Sequence, residues 1–340
     1  MKKRYFEIEK EEKKKNKAYN YRKTNRSPLL ANLIKLYSMT KQSDNKPLII
    51  LNIIYFFGLI YLPITINAQE IGSCNLDNWV PSIIKAWDEA RLIDNADCYR
   101  GLVQSMDHGR KLRDDLITEF DKKFPRAGYK VVGLDPINAA LPGVDRPMVG
   151  AMYVSMFLPN KTSMPISSAE ILITEPDFIF SVSSEAINEA ETLEDVIQHV
   201  DRIYAFIETL APTFINTPPN PYLMQASNLM AHWGVIGESI AVEPTKEFLN
   251  SLETMTVTFQ DGNGNILARQ PGSYLGKNPL NGALVVIKEL KRRGEKLMPG
   301  DLISSGSYMP PILVTEPIEY KTIYEGIGGK TISVSTSFYN

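Results

Sequence analysis

The sequence predicts an α+β fold with a mixed or antiparallel sheet. Apolar residues recur every three to four positions through residues 75–124, which is the spacing of helices that bury one face. Strand signals follow, including a β-hairpin in which 255–260 and 265–270 flank the turn sequence DGNG. A single amphipathic helix, 279–293, interrupts the later strands and ends before a glycine. Helices first and strands afterwards are typical of the α+β class.

Composition places the chain among ordinary globular proteins. It has 340 residues, a formal net charge of -2 and 44% hydrophobic residues, which leaves room for one large domain or two smaller ones. The near-neutral charge gives no reason to expect nucleic acid as a partner. The sequence contains no glycine-rich phosphate loop, no CxxC and no HExxH motif, so the common nucleotide and zinc signatures are excluded.

The amino-terminal part predicts export. Residues 1–47 are expected to be a basic, disordered leader, with Met39 as the expected start of translation. Residues 48–68 supply an apolar run suited to a signal peptide, with cleavage after Ala68. The alternative is a retained membrane anchor, although the run is short for a span. We therefore expect a periplasmic or secreted protein with no stable membrane span after cleavage.

The remaining chain divides into a predicted helical region, 69–127, and a strand-rich domain, 128–340. Cys74 and Cys98 are the only two cysteines, and an exported protein with one pair invites a disulfide. The sequence leaves the pairing open.

Several elements follow from local patterns. Residues 128–134 and 152–158 are predicted strands, and 135–150 a proline-rich loop. The first half of 193–210 is predicted to be helical, with an apolar face made of Val196, Val200, Ile203 and Tyr204.

The stretch ILITEPDFIFSV, residues 171–182, is a predicted buried strand that carries Glu175 and Asp177. Side chains at positions i and i+2 of a strand leave the same face. Two buried carboxylates so close together repel each other unless a positive group lies between them. A divalent cation with oxygen ligands would satisfy this pair. The alternative is a bend at Pro176 that turns both acids into solvent.

Two further charged residues lie in apolar surroundings. Lys130 is in the middle of a predicted strand, where it is an edge residue, a salt-bridge partner or a functional amine. Glu208 lies within the apolar segment AFIETLAP. His199 and His232 are isolated in the sequence and are expected to be satisfied surface or core histidines.

Seven short motifs occur in a particular order: GYKV (128–131), GVDRP (143–147), EPD (175–177), FIE (206–208), LGKNPLN (275–281), RGE (293–295) and PGD (299–301). Their order and spacing resemble the 2-keto-4-pentenoate hydratase family, a branch of the fumarylacetoacetate hydrolase superfamily. The resemblance extends over about residues 75–335.

The resemblance implies a mixed β-roll for residues 128–340, with the helical region before it. It also implies a hydratase-like lyase that acts on a small 2-oxo or 2-hydroxydienoic acid with the help of Mg²⁺ or Mn²⁺. By position in the motifs, Glu175 and Asp177 correspond to metal ligands, and Lys130 and Glu208 to catalytic residues. A homo-oligomer is compatible with this family.

Three positions depart from the family pattern. The third metal carboxylate is expected three residues after Glu208, where this chain has Ala211. Met148 replaces an expected aspartate, and the segment 228–233 lacks an expected serine. Loss of a charged ligand weakens Mg²⁺ binding. The alternative function is therefore a non-catalytic exported binding protein that kept the fold and lost the metal.

Overall fold

The computed structural model describes residues 75–93, 96–216 and 218–340. The predicted leader, signal segment and cleavage site lie outside these described residues, as does Cys74. Cys98 is disulfide-bonded. None of the helices in the described ranges is long and apolar enough to cross a membrane.

Helices precede the sheets and return between the strands. The bounds are α1 Trp79–Asp88, α2 Ala96–Arg100, α3 Met106–Asp121, α4 Pro136–Ala139, α5 Leu193–Ile197, α6 Pro221–Ala226, α7 Lys246–Thr254 and α8 Asn281–Arg293. The end of α8 follows from its sequence, because Gly294 adopts the left-handed conformation that closes a helix.

Two mixed sheets form the rest of the described chain. The strands are β1 Arg126–Val132, β2 Met148–Tyr153, β3 Phe157–Pro159, β4 Thr162–Pro165, β5 Ile173–Val182, β6 Val200–Leu210, β7 Trp233–Ala241, β8 Thr256–Asp261, β9 Ile266–Pro271, β10 Leu302–Ser307, β11 Ile312–Leu313, β12 Ile318–Ile327 and β13 Lys330–Tyr339. The larger sheet runs β2-β1-β10-β5-β6-β7-β3, with β11 also paired to β5, and the smaller runs β4-β13-β12-β8-β9. The predicted α+β class and the hairpin are therefore confirmed.

Strand β5 lies at the centre of the larger sheet and continues, buried, through Pro176. Proline cannot donate a ladder hydrogen bond and is normally found at edges or bulges. Here Pro176 lies opposite the irregular step between β10 and β11, since β10 pairs with β5 up to Asp177 and β11 begins at Thr174. The break in the ladder accommodates the proline, and the alternative of a solvated bend at Pro176 is wrong.

The helical face predicted for Val200, Ile203 and Tyr204 is wrong. Helix α5 ends at Ile197, and these residues belong to β6, which pairs with β5 on one side and β7 on the other. Pairing on both sides and burial against the core favour a strand over the local helical spacing.

Other boundaries also differ from the sequence-based ones. The strand predicted at 152–158 is instead β2, which starts at Met148, followed by a 3₁₀ turn and the short β3. Three short helices, α4, α6 and α7, were not predicted. Each begins with a side-chain cap, from Asp135, Asn220 and Thr245 respectively, which is a local signal that hydrophobic periodicity does not report.

The helical region packs on the larger sheet. One hydrophobic cluster combines Trp79, Leu116 and Phe120 from the helices with Ile179 and Phe206 from the sheet. The fully buried Arg113 of α3 adds a polar connection, because its guanidinium donates a 2.5 Å hydrogen bond to the Val149 carbonyl and pairs with Glu289 of α8. Helices and sheet therefore share one core across the proposed boundary at residue 127.

A left-handed turn precedes β7. Asn228, Leu229 and Met230 have φ angles of 57°, 58° and 57°, a conformation that costs non-glycine residues energy. The Asn228 side chain offsets this cost by bonding both backbone groups of Ala151, donating at 2.8 Å and accepting at 2.6 Å. Below the turn, a small cluster consists of Met106, Met148, Met224 and Leu229.

The close approach of β1 to β10 generates a stability prediction. A Cβ added to Gly128 would lie 1.8 Å from the Leu302 carbonyl oxygen, and this backbone atom cannot move aside without breaking the parallel pair. We expect Gly128→Ala to lower the free energy of unfolding by about 3 kcal/mol or more. Urea denaturation measures this. Gly101→Ala, where a Cβ meets nothing within 4 Å, is the control, and equal effects of the two changes would contradict the packing argument.

Candidate metal centre and active site

Four charged side chains from three strands meet inside the larger sheet. Strand β5 contributes Glu175 and Asp177, β6 contributes Glu208, and β1 contributes Lys130. The register places Glu175 directly opposite Glu208. One carboxylate oxygen from each acid lies within 4.8 Å of the other two, and Lys130 Nζ donates a 2.5 Å hydrogen bond to Glu208 Oε2. The four residues are at most 7% exposed.

Strand β10 separates the lysine from the acids. Its segment facing β1 and β5 has the sequence SSGS, whose small side chains leave space for Lys130 to reach Glu208. Because β1 lies between β2 and β10, Lys130 is not an edge residue. Of the interpretations predicted for Lys130, the salt bridge is present, and it is compatible with a functional amine.

Asp177 is held by donors from two strands. Ser304 Oγ donates to its Oδ2 at 2.7 Å, and the backbone N–H groups of Gly306 and Phe178 donate to its Oδ1 at 3.1 Å and 2.5 Å. The Gly306 bond exists because β10 bulges at this point and aims its backbone at the acid. These donors fix the orientation of the carboxylate.

The smaller sheet contacts the acid-bearing strands through Tyr324 of β12. The Tyr324 hydroxyl is fully buried and lies within hydrogen-bonding distance of the backbone oxygens of Asp177 and Phe206. A hydroxyl donates to one acceptor at a time, so it can alternate between β5 and β6. Tyr324 thus ties the two strands that carry the acids to the second sheet.

The charges in this cluster do not balance, since three acids face one lysine. Burial, followed by the negative charge of Glu208, raises the pKa of Glu175 well above its usual range. The same two causes raise the pKa of Asp177 to about 7. Burial alone would lower the pKa of Lys130, but Glu208 and Glu175 outweigh it and the pKa rises. The lysine therefore stays charged, and the protonated forms of Glu175 and Asp177 are favoured unless further positive charge arrives.

The donor set fits a divalent cation. Carboxylate oxygens are the ligands that Mg²⁺, Mn²⁺ and Ca²⁺ prefer. Oxygens bound to one Mg²⁺ at about 2.1 Å are at most about 4.2 Å apart, so the observed separations need only a small adjustment. An ion would supply the positive charge that Lys130 alone does not. Of the residues with a described placement, these three acids form the group suited to a metal.

Glu208, and not the residue at position 211, supplies the third acid of the cluster. Ala211 is buried and apolar, and the third acid of the cluster is Glu208, on β6 opposite Glu175. Glu208 was predicted as a catalytic residue, and that role stays a prediction. Met148, at the expected aspartate position, packs in the methionine-containing cluster below the left-handed turn.

His232 lies beside this site and is only half satisfied. Its Nε2 lies 3.0 Å from the Trp87 carbonyl oxygen, while its Nδ1 is buried without a hydrogen-bond partner in the described chain. Burial lowers the pKa of His232 to about 4, so the imidazole is neutral at pH 7. His232 and Glu208 both line a small cavity. The expectation of a satisfied core histidine is therefore wrong for Nδ1.

Ser304, Tyr324 and His232 were not predicted to belong to the site. Their positions depend on pairing between strands distant in sequence, and no local pattern reports it. The run SSGS in β10 was a usable signal, because consecutive small polar residues in a buried strand indicate a close approach to a functional group.

No family model matches the chain. The 2-keto-4-pentenoate hydratase of Paraburkholderia phymatum is 26% identical over 208 residues, covering 61% of this chain and 78% of that protein. The enzyme of the same name from Burkholderia vietnamiensis is 25% identical over 201 residues, covering 59% and 75%. The resemblance predicted from the motifs is confirmed by these relatives, which are enzymes named as hydratases.

The fold also matches a solved structure, the 4-oxalocrotonate decarboxylase of Pseudomonas putida G7 in complex with magnesium and adipate. The TM-score is 0.65 at 17% identity, covering 81% of this chain and 99% of that protein. This confirms the predicted fold class, a mixed β-roll of the fumarylacetoacetate hydrolase type preceded by helices.

Neutralising one acid should separate metal binding from folding. We expect Glu175→Gln to abolish the rise in melting temperature that Mn²⁺ causes in the parent protein, because a ligand is lost. At pH 8 the metal-free variant should be more stable than the parent by about 1 kcal/mol or more, since one pKa unit of burial penalty corresponds to about 1.4 kcal/mol. Thermal unfolding with and without Mn²⁺ measures both. Glu253→Gln, on an exposed face of α7, is the control, and a Mn²⁺ shift that survives in Glu175→Gln would contradict the ligand assignment.

The raised carboxyl pKa values also predict a pH dependence. A carboxyl whose pKa is raised by folding stabilises the folded state at low pH, and this contribution is lost as pH rises through the folded value, about 7 for Asp177. The metal-free protein should therefore become more stable from pH 8 to pH 6. Protons and cations compete for the same oxygens, so the Mn²⁺-induced shift should be larger at pH 8. Calorimetry at both pH values tests this, and a shift independent of pH would argue against buried carboxylate ligands.

Proposed function

Because the chain is similar to 2-keto-4-pentenoate hydratases, we propose that it is a hydro-lyase that adds water to a small 2-hydroxydienoic acid, the enol form of a 2-oxo acid. The observation that carries the proposal is the buried cluster of Glu175, Asp177 and Glu208 against Lys130. Burying three acids with one base is costly unless the site is used. The non-catalytic alternative is not favoured, because a protein that had lost its metal would gain stability by losing these acids.

In this proposal the three acids hold a Mg²⁺ or Mn²⁺ ion, with Glu208 taking the place of the carboxylate expected at Ala211. Asp177 is already oriented by Ser304 and Gly306, so it needs little rearrangement to serve as a ligand. Such an ion would supply positive charge that stabilises the enolate of a 2-oxo acid. The positive charge of the ion would also offset the burial and the repulsion from Glu208 that raise the pKa values of Glu175 and Asp177.

Lys130 has two functions in the proposal. Its ammonium is the positive group of the cluster, so it attracts the carboxylate of an anionic substrate. It also carries protons within reach of Glu208, as the 2.5 Å hydrogen bond between them demonstrates. A proton can therefore move between the lysine, Glu208 and a bound acid without passing through water.

The proposal also covers where the protein is located, which depends on residues outside the described ranges. We propose export after cleavage at Ala68, which is supported by the apolar run and the two cysteines of the sequence. A homo-oligomer stays a prediction.

The proposed activity has a direct assay. The purified protein should consume 2-hydroxypenta-2,4-dienoate, followed by loss of its ultraviolet absorbance, when Mg²⁺ or Mn²⁺ is present and should stop when a chelator removes the ion. Lys130→Met should lower kcat about 100-fold or more, because general acid–base catalysis contributes at least that factor. Lys288→Met, on the exposed side of α8, is the matched control and should have the parent rate.

Product analysis by nuclear magnetic resonance distinguishes water addition from loss of CO₂. Absence of turnover with either metal would overturn the proposed function, and turnover in Lys130→Met at the parent rate would overturn the role of the lysine.

A further inference from the structure

A small cavity opens next to the acid cluster. Its volume is about 10 Å³, close to the minimum that holds one water molecule. The side chains in its wall that can accept hydrogen bonds from a water are Glu208 and His232, and the others include Met152, Phe157, Phe206 and Trp233. A water molecule needs at least two polar partners to occupy a buried site, and this wall offers two.

The tautomer of His232 determines what it offers to the cavity. Its Nε2 faces the Trp87 carbonyl oxygen, which can only accept a hydrogen bond, so Nε2 carries the proton. In a neutral imidazole the other nitrogen is then a bare acceptor. Nδ1 is buried and has no donor among the described residues. His232 therefore presents an unused acceptor, and the group that satisfies it must donate a hydrogen bond.

The position of His232 is fixed from two sides. Trp87 of α1 donates its indole N–H to the Ala231 carbonyl at 2.9 Å, accepts from His232, and stacks on the imidazole with the ring centres 4.8 Å apart. The left-handed turn at Asn228–Met230 brings the chain to this point at an energetic cost. Backbone strain held in place beside an unsatisfied buried nitrogen indicates a built site rather than a packing defect.

We propose that His232 and Glu208 bind the water molecule that hydration consumes, with His232 Nδ1 and a Glu208 carboxylate oxygen each accepting one of its hydrogen bonds. This inference rests on the proposed function, and it adds a water-binding residue that the motifs did not indicate. Glu208 has the capacity, because an ionised carboxylate offers about four lone-pair sites, of which Lys130 uses one at Oε2 and the proposed ion would use another.

Two acceptors suit a nucleophilic water. When both protons of a water molecule are donated to the protein, its lone pairs are free to point at a substrate carbon. As the carbon–oxygen bond forms, the substrate's π bond breaks to leave an enolate, and the water proton that is bonded to Glu208 passes to that carboxylate. The apolar side chains of Met152, Phe157 and Phe206 offer no competing hydrogen bonds, so the water has one preferred orientation. His232 thus selects water addition over enolisation alone, since only water addition needs a bound water.

Two substitutions distinguish the role of Nδ1 of His232 from the role of Nε2. His232→Gln places an amide N–H where Nε2 was and keeps the bond to Trp87, but it removes the acceptor at Nδ1. His232→Asn places an amide oxygen near the Nδ1 position and loses the bond to Trp87. A purely structural role predicts that the asparagine variant is the worse enzyme, whereas the water-binding role predicts that the glutamine variant is.

The experiment measures three quantities for each Mn²⁺-loaded variant: hydration of 2-hydroxypenta-2,4-dienoate, hydrogen–deuterium exchange next to the oxo group of 2-oxopentanoate, and the Mn²⁺-induced shift in melting temperature. We expect His232→Gln to lose about tenfold in kcat for hydration, the value of one hydrogen bond, and to keep exchange and the Mn²⁺ shift. His232→Asn should hydrate faster than His232→Gln although it melts at a lower temperature. His199→Gln, the same change at a remote histidine, is the control.

The outcomes separate the two proposals. If the parent protein hydrates and His232→Gln hydrates equally fast, or loses exchange in the same proportion, the water-binding role is overturned and the proposed function stands. If the parent protein does not hydrate, the proposed function fails, and a high-resolution crystal structure of the Mn²⁺-loaded protein decides the water site. A water molecule hydrogen-bonded to both Nδ1 and Glu208 supports it, and any other partner for Nδ1 overturns it.

Discussion

The ion pair between Lys130 and Glu208 is the interaction on which the rest of the site depends. Without the lysine, three carboxylates would lie together in a buried place with no positive charge beside them, and such an arrangement is strongly destabilising. The surrounding structure is organised around holding that cluster. The bulge in β10 gives Asp177 a backbone donor, and Tyr324 fastens both acid-bearing strands to the smaller sheet. The fold therefore maintains a concentration of negative charge that it stabilises only in part, which is the electrostatic condition for recruiting a cation.

Much of this acid cluster could be predicted, because sequence patterns within single strands identify some of its residues. Glu175 and Asp177 share a face by the period of a strand, and their apolar flanks indicate burial, so the pair was recognisable without any knowledge of the fold. Lys130 was recognisable for the same reason, as a charge inside an apolar strand. The β-hairpin and α8 were predicted correctly because glycine-containing turns and caps are also local signals.

The remainder depends on long-range pairing. The register of β5 and β6 sets Glu208 opposite Glu175. The sequence of either strand alone does not determine which residues of the two strands are paired. The apolar spacing of Val200 to Tyr204 is by itself compatible with a helix. In the fold, pairing with β5 on one side and β7 on the other makes this segment a strand. His232 was interpreted as a satisfied surface or core histidine because it is isolated in the sequence, whereas its partner Trp87 is 145 residues away. Local patterns thus revealed the charged groups, and topology determined which of them meet.

The small cluster of Met106, Met148, Met224 and Leu229 has a chemical consequence for the turn above it. Thioether side chains are flexible and polarisable, so they fill space beneath a distorted backbone that branched side chains would leave partly vacant. They are also the side chains that peroxides convert to sulfoxides. A sulfoxide in this cluster would place a polar oxygen against Leu229, three residues before His232, at a burial cost to that segment. An oxidant of this kind would therefore act on the packing beneath residues 228–230 and not on the acid cluster, whose carboxylate and ammonium groups it does not oxidise.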